Sequence, residues 1–130
     1  MIVSNKTRRL VDSVTAALRD FSGLQAVYYR QAKARQAPPF VVFLLDLVRI
    51  DGGICVYDLT AECVDYSEDP ADCDGLAAAV AEGMDCFSHT DDFQSWQCWV
   101  ESIRPVDDAD RSIQRRRITM TMRYVERMKP

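Results

Sequence analysis

No lysine or arginine occurs between Arg49 and Arg104, although that stretch holds thirteen acidic residues. The flanking segments carry all 16 basic residues against seven acids, so a net charge of −4 conceals an acidic middle and basic flanks. Such segregation has two uses. Oppositely charged strands neutralise each other within one sheet, or an acidic face of one subunit meets a basic face of the next. Histidine is nearly absent too, with His89 alone in a Ser88-His89-Thr90 stretch that reads as a loop without a partnered nucleophile. There is no glycine-rich phosphate loop and no G-x-S-x-G, so the usual nucleotide-binding and hydrolase signatures are missing.

The five cysteines (Cys55, Cys63, Cys73, Cys86, Cys98) form no C-x-x-C pair, which excludes a zinc ribbon or a thioredoxin-type site. Cys86 and His89 would make half a metal site, but no second pair completes it. Reduced thiols, several of them buried as small hydrophobes, and no metal or cofactor are expected. No apolar run approaches the roughly 18 residues that span a bilayer. Basic residues near the start are followed by no apolar core, which predicts no secretory signal and a cytoplasmic place of assembly.

What is present is ordinary globular material. The 130 residues fit a single domain with one core (1–130), and 48% hydrophobic content argues against general disorder. Residues 6–21 read as an amphipathic helix with Leu10, Val14, Ala17, Leu18 and Phe21 on one face, started by Ser4 or Asn5 and ended by Gly23. Leu24–Tyr29 reads as a short strand. Residues 30–39 (RQAKARQAPP) are basic, lack an apolar stripe and end in Pro38-Pro39, which predicts a projecting loop. Phe40–Ile50 is apolar at alternating positions of both sets, which predicts a strand covered on both sides. Asp51-Gly52-Gly53 then signals a hairpin into a strand over Ile54–Asp65.

Asp69-Pro70 begins a second helix, with Leu76, Val80, Gly83, Met84 and Phe87 as its buried stripe. Phe93–Ile103 and Ser112–Arg127 read as two more strands, joined by an acidic turn at Asp107-Asp108-Ala109-Asp110. Trp96 and Trp99, three apart, should face opposite sides of their strand. The fold class is therefore α+β: a mostly antiparallel sheet of about five strands with two helices on one face.

The last strand sends Ile118, Met120, Met122 and Tyr124 inward and Arg115, Arg117 and Arg123 outward. Such a row could hold phosphates, but it lacks aromatics for base stacking and the chain as a whole is acidic. The plainer account pairs it with Asp58 and Glu62, which also point away from the core, either within one chain or across a subunit boundary. Arg115, Arg117, Arg123, Asp58 and Glu62, with Lys33 and Arg35 of the basic loop, are the candidate interface residues. No catalytic set can be assembled, so an enzyme is not expected.

The order of these elements resembles the tail terminator, or tail-completion, proteins of long-tailed bacteriophages. The likeness runs through the first helix, Val27-Tyr28-Tyr29, the Pro-Pro-Phe-Val-Val stretch at 38–42, the Ala-rich helix at Leu76–Gly83 and a last strand ending in Arg-Tyr-Val at 123–125. It implies a virion protein forming a hexameric ring that caps the tail tube, with the tube protein and a head-completion protein as partners. It implies no catalytic residue, no membrane and no sequence-specific nucleic acid, although DNA would pass through the ring. A head-closure or neck connector protein is the nearest alternative. A cytoplasmic adaptor domain that takes a basic partner on the acids of residues 58–92 is the alternative from another class.

Overall fold

Leu10, Val14, Ala17 and Leu18 fall on one side of a helix, and α1 (Asn5–Ser22) buries all four. The structure, a computed structural model, describes residues 5–127; Ser4 lies outside them. Gly23 closes α1 in the left-handed region at φ 72°, and its N–H donates to Arg19 O at 2.9 Å. The second helix, α2 (Pro70–Met84), begins where Asp69 accepts from the Ala71 N–H at 3.0 Å, with Pro70 in the first turn. Its buried side chains are Cys73, Ala77, Val80, Ala81 and Met84. Leu76 is only half-buried, and Gly83 lies against the Phe21 ring.

The strands are β1 (Val27–Tyr29), β2 (Phe40–Asp51), β3 (Ile54–Tyr66), β4 (Ser88–Thr90), β5 (Gln94–Val106) and β6 (Ile113–Glu126). They form one sheet in the order β1-β2-β3-β6-β5-β4. The α+β class holds, with two differences from the sequence expectation. There are six strands rather than about five, because Ser88-His89-Thr90 pairs with Gln97-Trp96-Ser95 as β4. Three polar residues carry no alternation that would announce a strand. The sheet is also mixed, since β1 runs parallel to β2 while the other pairings are antiparallel.

Gly52 and Gly53, at φ 57° and 84°, supply the tight turn between β2 and β3 that an L side chain resists. Both helices pack on one face of the sheet. There α2 crosses β3, β5 and β6, and α1 meets α2 and β1. The core is Val41, Phe43 and Leu45 of β2 with Leu59 and Ala61 of β3, continued by Ile118, Met120, Met122 and Tyr124 of β6 and by Trp96 and Cys98 of β5. The two tryptophans face opposite sides, as expected: Trp96 is core, and its indole N–H donates to Ser13 Oγ at 2.9 Å. Trp99 is half-buried on the opposite face beside Thr121.

One expectation is overturned. β2 is not covered on both sides, because no helix lies on the second face. Leu44 is 40% exposed there, and beyond Leu45 the strand outruns the helices, leaving Leu47, Val48 and Ile50 at 51%, 51% and 68%. Apolar character on both faces of a strand signals burial on both faces; here nothing in the described chain supplies the second layer.

Candidate functional site

The open face of the sheet carries the outward row of β6. Arg115 lies between two carboxylates: its Nη1 donates to Glu62 Oε1 at 2.9 Å and its Nε to Asp108 Oδ2 at 2.6 Å. Arg117 reaches the other Glu62 oxygen at 3.4 Å and stays half-exposed. The cross-strand register produces this cluster, setting Glu62 opposite Arg117 and Val64 opposite Arg115. The Asp110 N–H and the Arg115 guanidinium together hold the Asp108 carboxyl below the usual carboxylate range. Asp108 and Glu62 in turn raise Arg115, against a smaller opposing effect of burial.

The remaining candidates are not drawn into that cluster. Arg123 stands between Val56 and Gln97, and Asp58 between Asp46 and Thr121. Among the described residues neither has an oppositely charged partner within 4 Å. Lys33 and Arg35 sit exposed in the connection from β1 to β2, where Tyr28 Oη donates to Gln36 Oε1. Arg116 faces the helix side and binds Asp74 of α2 at 2.6 Å.

Next to the arginine cluster the open face forms a groove of about 640 Å³, with Phe40, Val42, Leu44 and Val64 as an apolar floor and Arg30 and Arg117 at its rim. Sequence reasoning did not find this surface. Phe40, Val42 and Leu44 belong to the strand expected to be covered on both sides, and the one-sided placement of the helices leaves Leu44 exposed and the other two part-buried. The exposure of Leu47, Val48 and Ile50 towards the end of β2 was likewise not legible in the sequence. An irregularity between Leu47 and Arg49 shifts the register there, which no residue pattern announces.

Titratable groups elsewhere serve the framework. His89 Nε2 lies 2.8 Å from Asp91 Oδ2, and the imidazole stacks on Trp96 with centroids 5.6 Å apart, so it does not meet the exposed Cys86. Burial pushes the Cys63 and Cys98 thiols up to about 12. All five cysteines are free thiols. Among the described residues no group of three or more histidine, cysteine or acidic side chains is placed to hold a metal ion. No helix among them is long and apolar enough to cross a membrane.

Comparison with known proteins turns on this fold. No protein-family model and no curated protein sequence matches the chain. Solved structures do. A chain of the virion of a native gene transfer agent particle superposes with a TM-score of 0.65 at 20% identity, over 93% of this chain and 91% of that one. The two share a fold along nearly their whole lengths.

Proposed function

We propose that this chain is a structural subunit of a phage-like virion and, within it, a tail terminator or tail-completion protein. In this reading copies of the chain close into a hexameric ring that caps the tail tube and joins it to the head connector. Its partners are then the tube protein and a head-completion protein, in a virion assembled in the bacterial cytoplasm. The observation that carries the reading is the likeness of the whole fold, over nine-tenths of both chains, to a virion component.

The chain's own surfaces support it. A sheet with no helix on one face, and with Leu44, Leu47, Val48 and Ile50 exposed along β2, has more to bury than the described residues cover. Two of the three outward arginines, Arg115 and Arg117, are tied to Glu62 and Asp108, and Arg123 stands apart from them, so the strand does not offer a free cationic row. The role is therefore one of shape and contact rather than catalysis.

Antibody labelling of particles released by the source bacterium tests the proposal under the electron microscope. A single locus of label at the junction of head and tail is the expected result. Particles that lack the chain, or that carry it along the whole tail, would overturn the assignment.

A further inference from the structure

The charge segregation of the sequence becomes a difference between the two sides of the sheet. At one side lies β1 with the connection that follows it, residues 30–39, which carries Arg30, Lys33 and Arg35 and no acid. Arg30 stacks on the Tyr29 ring and feels Asp46 nearby. Lys33 and Arg35 have no acidic partner among the described residues. The other side lies five strand spacings away, roughly 24 Å. There the end of α2 and the residues after it run along β5, where the Val100 N–H donates to Asp85 Oδ1 at 3.0 Å and the Cys98 N–H to Phe87 O at 2.9 Å. Glu82 and Glu101 are exposed on this side, and among the described residues Glu101 has no cationic partner, its Oε1 accepting from Thr121 Oγ1 at 3.0 Å. The nearest cation along the strand is Arg104, three residues after Glu101.

Each side also leaves strand edge and aliphatic surface uncovered. β1 pairs with Val41–Phe43 alone, so β2 from Leu44 onward has no neighbour on that side, and Leu44, Leu47 and Val48 are exposed along it. β4 pairs with residues 95–97 of β5 alone, and Ile103 is 45% exposed beyond it. Uncovered edges of this length are ordinarily closed off by a further strand, helix or chain.

We infer that these two sides are the two halves of one contact between copies of this chain: the basic β1 side of one copy seats against the acidic β5 side of the next. Two like sides brought together would place cation against cation or carboxylate against carboxylate. Only the head-to-tail arrangement satisfies both, and that arrangement closes into a ring when the rotation between copies permits. Charge sets which side meets which, and the aliphatic residues at the edges supply apolar surface to bury. The inference rests on the ring reading given above and names the surfaces that would build it.

Two paired reversals test it: Lys33→Glu with Arg35→Glu, and Glu82→Lys with Glu101→Lys. All four positions are exposed, so the variants should fold, which unchanged thermal unfolding would verify. Assembly is followed by sedimentation over a concentration series. Each paired variant alone should need about tenfold or more protein to assemble than the wild type, since it now sets like charges face to face. An equimolar mixture of the two should recover assembly, because the acidified β1 side of one meets the basified β5 side of the other. A single chain carrying all four reversals should recover it too. If the wild type assembles while the paired variants assemble equally well, or their mixture stays dispersed, the assignment of surfaces is overturned and the ring survives. If the wild type itself stays monomeric throughout, the ring reading falls and takes this inference with it.

Discussion

Asp91 ties together more of this fold than its exposed setting suggests. Its carboxylate accepts from the Phe93 N–H at 2.7 Å, the Gln94 N–H at 3.1 Å and Gln94 Nε2 at 3.0 Å, besides its contact with His89. Gln94 is buried, and the same Nε2 donates to Arg9 O at 3.0 Å, so this corner joins the start of β5 to α1. Burial disfavours the Asp91 charge, but the hydrogen bonds from Gln94, His89 and the two backbone N–H groups outweigh it and hold the carboxyl below its ordinary range. A carboxyl that titrates lower in the folded chain than in the unfolded one adds stability above its unfolded value, about 3.9. That contribution fades as the pH falls through the folded value. Asp91→Asn should therefore lower the thermal midpoint at pH 7, and the gap from the wild type should narrow steadily below about pH 4. Midpoints that stay equally far apart from pH 7 to pH 2 would show that Asp91 does not titrate as described.

Among the elements, the contact of α1 with α2 depends on the lack of a side chain at one position. Gly83 faces the Phe21 ring, and a Cβ there would run into it. Phe21 is itself fixed edge-on to Phe87 at 5.1 Å between centroids, and Phe87 packs on Trp96 at 5.5 Å. Alanine is the better helix former by about 1 kcal/mol. Gly83→Ala should nonetheless destabilise the fold by about 1–3 kcal/mol in urea unfolding, because the ring has to move within a packed aromatic series. Adding Phe21→Leu should recover part of the loss, since the two positions are coupled. A Gly83→Ala chain as stable as the wild type would mean that Phe21 swings aside freely. Elements set by local chemistry were legible in the sequence. The Asp69-Pro70 start of α2, the Gly-Gly turn and the alternation of Ile118, Met120, Met122 and Tyr124 each follow from neighbouring residues. Whatever depends on register between distant segments was not. β4 exists because Ser88–Thr90 falls beside β5, and Arg115 meets Glu62, 53 residues away in sequence, because β3 and β6 pair in one register. Of the candidate interface residues, Arg115, Arg117 and Glu62 come together, whereas Asp58, Arg123, Lys33 and Arg35 stand apart.

At the scale of the molecule, the helices cover one face of the sheet, and among the described residues no helix covers the other face and parts of both edges lack a neighbouring strand. A domain of this size normally closes its apolar strands within itself. Here four of the large exposed hydrophobics, Leu44, Leu47, Val48 and Ile50, fall within one strand. The polarity legible in the sequence also survives folding in part: Glu62 and Asp74 neutralise arginines of the basic flank, while Lys33, Arg35, Glu82 and Glu101 are left at opposite sides of the sheet. Both features are what the proposed assembly of several copies would bury, and the most direct test of that proposal is mass measurement in solution across a concentration series, at low and then at high salt. The account predicts a closed species of six 14.8-kDa chains that gains in population with concentration and loses it as salt screens the contact. A chain that remains monomeric at every concentration, or one that forms a dimer and nothing larger, would contradict it.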